Sequence, residues 1–152
     1  MPKFKSILLV DDDLNDIELA VEALKRNNLT NHIVTARHGG EALDYLFRRG
    51  DHAGRNDEDP VFILLDLKMP KVDGLEVLRQ IKADAKLRMI PVVMLTSSRE
   101  EPDLLKSYSL GVNAYVVKPV EFAKFVEAIR QLGLFWALIN EPPPLGTASI
   151  NL

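Results

Sequence analysis

The sequence predicts an α/β fold: a five-stranded parallel sheet with helices on both faces, a doubly wound (βα)5 sandwich. Three observations predict it. Four short runs, "SILLV", "VFILLD", "IPVVMLT" and "AYVVK", are apolar, rich in β-branched residues, and each breaks into polar or turn-forming residues. Between the runs lie segments whose apolar residues recur at helical spacing. Strand and helix alternate five times, and parallel strands need such crossovers while continuously apolar strands need both faces covered.

In chain order, "SILLV" is the first strand, and Ile17, Leu19, Ala20 and Leu24 form the stripe of a first helix. A weaker strand, "HIVTA", follows the turn-like "NNLTN", and Ala42, Leu43, Leu46 and Phe47 mark a second helix. The polar, Gly-containing stretch 48–60 is a long connection into the third strand, "VFILLD". Gly74 is the turn before a third helix carrying Leu75, Val77, Leu78 and Ile81. "IPVVMLT" is the fourth strand, and Leu104, Leu105 and Tyr108 mark a fourth helix. "AYVVK" is the fifth strand, and a last helix runs from Phe122 with Phe125, Val126, Ile129 and Leu132 as its stripe.

Length and composition narrow the function. At 152 residues and 47% hydrophobic, the chain fills one core and not two, so residues 1–140 are expected as one domain and 141–152, with three consecutive prolines, as an extended tail. The net charge is only −3 and the basic residues are scattered, which disfavours nucleic acid. With no cysteine, disulfides, thiol catalysis and zinc-thiolate sites are excluded. The apolar run before the first acids is too short for a signal peptide, and no segment reaches membrane-spanning length, so no membrane association and a cytoplasmic location are expected.

Polar chemistry gathers at the strand ends. Asp11 and Asp12 close the first strand, Asp66 the third, Thr96 the fourth and Lys118 the fifth. Ligands of open parallel sheets bind outside these carboxyl ends, so three carboxylates, a hydroxyl and an ammonium are expected on one rim. Converging carboxylates repel unless a cation neutralises them, and an all-oxygen set with no cysteine suits Mg²⁺. Lys118 adds a positive charge for a dianion and Thr96 a donor, a combination fitted to phosphoryl transfer onto a carboxylate. Asp13 reads instead as a helix N-cap, with Asp16 three residues later as a weak capping box.

This ordered set, with "LDLKMPKVDGLEVL" around the central acid, resembles the receiver domain of two-component response regulators, from about Lys5 to Leu132. The resemblance implies a flavodoxin-like sandwich in which Asp66 is the phosphoacceptor and Asp12 a direct Mg²⁺ ligand. Asp11 would act mainly through metal-bound water, and the Lys68 carbonyl would be a further ligand beside Asp66. Thr96 and Lys118 would contact the phosphoryl group, the Lys118–Pro119 bond would be cis, and Tyr115 would be the aromatic switch, although an aromatic in a strand is more often core. Lys68 and Ser98 flank the mouth, where this family tunes phosphoryl lifetime.

A second, narrower resemblance is to the small response regulators that pair with bacterial phytochrome histidine kinases, through the 48–60 loop, "IPVVMLTSSREEPDLLKSY" and a tail beginning "FW". It implies such a kinase as partner, with Arg48, Arg49 and the "NDED" acids as a docking loop, or simply a solvated one. "LGLFWALI" is apolar nearly all round, so Phe122, Phe135, Trp136 and Leu138 are expected either to form a homodimer interface or to fold back on the domain. No output domain follows in the sequence, so the signal is expected to pass to another molecule. A phosphatase with an aspartyl nucleophile usually carries an acid two residues on; Lys68 stands there, which argues against a turnover enzyme. An interaction module independent of phosphorylation would keep the fold without needing these five side chains. A nucleotide-binding flavodoxin-like protein would need a Gly-rich loop after the first strand, and none is present.

Overall fold

Three strands are buried along their whole length: β1 (Ser6–Val10), β3 (Phe62–Asp66) and β4 (Val92–Thr96). They form the middle of the sheet in the computed structural model, which describes residues 6–26, 32–96, 109–118 and 121–131. β2 (His32–Ala36) and β5 (Ala114–Val117) flank them in the all-parallel order β2-β1-β3-β4-β5. This is the flavodoxin-like doubly wound order expected from the sequence.

Period-two alternation splits the core into two halves. Leu8, Val10, Ile63, Leu65, Val92 and Met94 point to one face, under α2 (Gly39–Phe47) and α3 (Gly74–Ala83). Ile7, Leu9, Phe62, Leu64, Val93, Leu95 and Val116 point to the other, under α1 (Leu14–Arg26) and α4 (Phe122–Gln131). Each central strand therefore buries both rows of side chains, which is why it reads as a continuous apolar run.

The edges correct two expectations. "AYVV" is not buried on both faces: Val116 is buried, while Tyr115 and Val117 are exposed on the edge strand. Leu19, placed in the first helical stripe, is 52% exposed. The buried stripe is Ile17, Ala20 and Leu24, at offsets of three and seven residues, and Leu19 lies roughly 200° around the helix from Ile17. The fourth expected helix, with Leu104, Leu105 and Tyr108, lies outside the described residues.

The helices begin on side-chain caps. Asp13 Oδ1 accepts from the Asn15 and Asp16 N–H groups at 2.8 and 3.3 Å, His38 Nδ1 from Glu41 N–H at 3.0 Å, and Asp73 Oδ1 from Glu76 N–H at 3.0 Å. The Asp13 cap was legible; the reciprocal half of the capping box is absent. The Asp13 N–H donates to Asp11 Oδ1 at 3.0 Å, leaving the Asp16 carboxylate for other work.

The long connection is built rather than loosely solvated. After a single 3-10 turn at Gly50–His52, Arg48 donates to the carbonyls of Arg55 and Asp57 at 2.8 and 2.7 Å. Arg55 lies 3.9 Å over the Tyr45 ring, donates to the Tyr45 carbonyl at 3.1 Å and pairs with Asp57 and Asp59. Arg48 also reaches Asp59 at 3.3 Å. Arg48 and the acids Asp57 and Asp59 are thus engaged with one another and with Arg55 inside the loop.

Candidate functional site

Each expected side chain sits where its strand stops. Backbone bonds set the rim: Asp11 N–H donates to the Ala36 carbonyl at 3.0 Å, Leu67 N–H to Leu95 at 2.9 Å, and Lys118 N–H to Thr96 at 2.8 Å. The registers bring Asp11 level with Asp66 beside the switch between β1 and β3, and Thr96 and Lys118 follow one and two positions further along their strands.

Asp11 and Asp66 are only 1% and 2% exposed, Thr96 is equally buried, and Asp12 is open to solvent. One oxygen from each of Asp11, Asp12 and Asp66 lies within 4.8 Å of the others. Lys118 Nζ meets Asp16 Oδ2 at 2.9 Å, Asp11 Oδ2 at 3.1 Å and Asp66 Oδ1 at 3.3 Å. A single ammonium thus serves three acids, two of them buried.

The electrostatics follow from that imbalance. Burial, then the Asp11 charge, push the Asp66 carboxyl up to about 8, and Lys118 offsets only part of this. Burial also raises Asp11, against the Asp13 N–H bond and Lys118. Burial opposes the Lys118 charge, but the Asp16 bond and the Asp66 and Asp11 carboxylates outweigh it and raise the ammonium above its ordinary value. A buried carboxyl pushed up to about 8, with oxygens converging from three positions, marks a donor set short of positive charge. A hard divalent cation supplies that charge and accepts this all-oxygen set, so the residues fit one.

Lys68 is exposed two positions after Asp66. Tyr115 lies on β5 opposite Met94 and is 44% exposed, which removes the reading of it as a core aromatic. Of the interface candidates, Phe122 opens α4, and Phe135, Trp136 and Leu138 lie outside the described residues, as do Ser98 and Pro119.

Two positions at the site escaped the sequence reading. Asp16 makes the shortest contact to Lys118, a pairing across most of the chain that no local pattern announces. Gly74 was read as a turn glycine, but a Cβ there would stand 2.2 Å from the Asp66 carbonyl oxygen and 2.9 Å from Leu67 Cα. The absent side chain lets α3 close against the backbone that carries Asp66.

A parallel sheet with this order, bearing three acids, a threonine and a lysine at its switch point, defines a receiver domain, and the response regulator receiver domain profile matches residues 7–130. The chain belongs to that family. It is 42% identical over 137 residues to a probable methanogenesis regulatory protein, FilR2, of Methanothrix harundinacea, covering 90% of this chain and 86% of that protein. It is 39% identical over 132 residues to response regulator Rcp1 of Synechocystis, covering 87% of this chain and 88% of that one. Among solved structures, the bacteriophytochrome response regulator AtBRR superposes with a TM-score of 0.83 at 59% identity, covering 92% of this chain and all (100%) of that one. The Mn²⁺-bound form of Rcp1 gives 0.73 at 37% identity, covering 92% and 99%.

Proposed function

We propose that this protein is a response regulator of the single-domain kind, which takes a phosphoryl group from a histidine kinase onto Asp66 and signals by a shift in conformation. The observation that carries the proposal is the Asp66 carboxylate itself. It is buried at the strand end, surrounded by Asp11, Asp12 and Lys118, and backed by a glycine that leaves room for nothing else.

In the transfer, an Asp66 carboxylate oxygen forms a bond to phosphorus as the bond from phosphorus to the donor nitrogen breaks, leaving an acyl phosphate. Lys118 is placed to pair with the dianion and Thr96 to donate a hydrogen bond to it. Asp12 and Asp66, with the Lys68 carbonyl, would hold Mg²⁺. Asp11 is suited to binding through water, because its two oxygens already accept from Asp13 N–H and Lys118. When bound, Mg²⁺ supplies charge neutralisation for the incoming phosphoryl oxygens. An Mn²⁺-bound homologue supports a divalent site of this kind.

Drawing Thr96 toward the phosphoryl group alters the β4–β5 edge where Tyr115 is exposed, a change that shifts a population rather than the fold. Lys68 offers no general acid two residues after the acceptor, which supports a switch over a turnover phosphatase. The bacteriophytochrome relatives favour a phytochrome kinase as the donor, and a homodimer through Phe122, Phe135, Trp136 and Leu138 remains part of the proposal. Among the described residues no helix is long and apolar enough to cross a membrane.

The test is intact-protein mass after incubation with a small acyl phosphate and Mg²⁺, with EDTA and Asp66→Asn as controls. One added phosphoryl group, absent from both controls, is the expected result. An adduct that persists in Asp66→Asn rejects Asp66 as the acceptor.

A further inference from the structure

Lys118 is shared, and the sharing is unequal. An ammonium has three hydrogens, and here three carboxylates take them. Two of the three, Asp11 and Asp66, belong to the converging acidic cluster, whereas Asp16 does not. Asp16 is 30% exposed in the first turn of α1, outside that cluster, yet its contact of 2.9 Å is the shortest. It is also freed from capping duty, since the Asp13 N–H it would have accepted is taken by Asp11.

We propose that Asp16 is a positioning residue that draws the Lys118 ammonium away from Asp11 and Asp66, and so sets how tightly the acidic cluster holds a divalent cation. A lysine and a metal ion compete for the same two buried carboxylates. With Asp16 present, part of the ammonium's charge is satisfied on the solvent side, and the cluster keeps more negative potential for the metal. With Asp16 neutral, Lys118 settles onto Asp11 and Asp66 and repels the incoming ion. Coulomb energy falls inversely with distance and is weakly screened at buried sites, so a small displacement of the ammonium is felt.

This rests on the reading of the site as a cation-dependent phosphoacceptor, and the two are separable by experiment. Mg²⁺ and Mn²⁺ binding are measured by calorimetry, without phosphodonor, on the native protein, Asp16→Asn, Asp16→Glu, Lys118→Met and the Asp16→Asn/Lys118→Met pair. Asp16→Asn is expected to weaken binding about 3- to 10-fold, a range typical of coupled charges in contact. Asp16→Glu should recover most of the loss. Once Lys118 is gone, Asp16→Asn should change affinity by less than about twofold, because a residue that acts through another loses its effect with it.

An unchanged affinity in Asp16→Asn overturns the proposal. So does an equal loss with and without Lys118, which would mean that Asp16 acts by its own charge, and so does a native protein that binds neither ion. Phosphorylation by mass is read in parallel. An adduct on Asp66 with a silent Asp16→Asn rejects the positioning role alone, and the expected cation series without an adduct rejects the phosphoacceptor alone.

Discussion

Asp66 shows what it costs to bury a carboxyl beside other acids. Its carboxyl binds a proton far more tightly in the fold, at about 8, than in the unfolded chain near 3.8, so the folded state holds a proton that the unfolded state has released. The favourable contribution is complete below the unfolded value and is lost progressively as pH rises toward about 8. An Asp66→Asn protein escapes that loss, while Lys118 keeps its Asp11 and Asp16 partners. Without metal it should be more stable than the native protein at pH 8, by several kcal/mol. The gap should narrow at pH 5, and thermal melts at the two pH values decide it; a variant less stable at pH 8 would contradict the buried-charge account. Gly74 makes the complementary point at the same scale. Its missing Cβ is what allows α3 to close on the Asp66 backbone, so the position of Asp66 depends on a residue with no side chain of its own.

Among the elements, the loop between α2 and β3 departs furthest from a loosely solvated connection. Arg55 is buried against the Tyr45 ring, donates to the Tyr45 carbonyl, and pairs with Asp57 and Asp59. Arg48, in the left-handed region at φ 56°, closes the far side through two carbonyls. A planar, five-donor fork suits such a set of fixed acceptors, and a lysine does not. Arg55→Ala leaves Asp59 and the Tyr45 carbonyl short of a donor and should cost about 2–3 kcal/mol in urea unfolding. Arg55→Lys should recover only part of this, and a loss within about 0.5 kcal/mol for Arg55→Ala would mean that the loop is decoration. The loop opens at the opposite end of the strands from the acidic rim, since Val61 N–H donates to the Ser6 carbonyl at the start of β1. Its arginines therefore stabilise the fold without entering the phosphoacceptor chemistry.

For the molecule as a whole, fold and site share the sheet's registers: strands that stop together deliver acids that repel, and a cation relieves them. Divalent binding should therefore raise global stability, by about 2.7 kcal/mol at a Mg²⁺ concentration 100 times the Kd. Because binding must displace the proton on Asp66, the gain at one fixed Mg²⁺ concentration should be larger at pH 8 than at pH 5. Melting curves with and without Mg²⁺ test this, and an equal gain at both pH values would show that the ion binds elsewhere. Most of this architecture was legible in the chain. "SILLVDDD", "FILLDLKMP", "VVMLTSS" and "AYVVKP" show apolar strands ending in polar groups, because periodicity and strand-end chemistry are local properties written in consecutive residues. The same locality explains the misses. "AYVV" has a central strand's composition, and only the sheet order makes β5 an edge that exposes Tyr115. The sequence by itself determined the fold class, the family and which acids end the first and third strands. The tertiary structure alone decided that Lys118 is divided among Asp11, Asp16 and Asp66, that α3 needs Gly74 against Asp66, and that Arg48 and Arg55 turn inward. Those are distances between residues far apart in sequence or between backbone and backbone, and such distances exist only once the chain has packed.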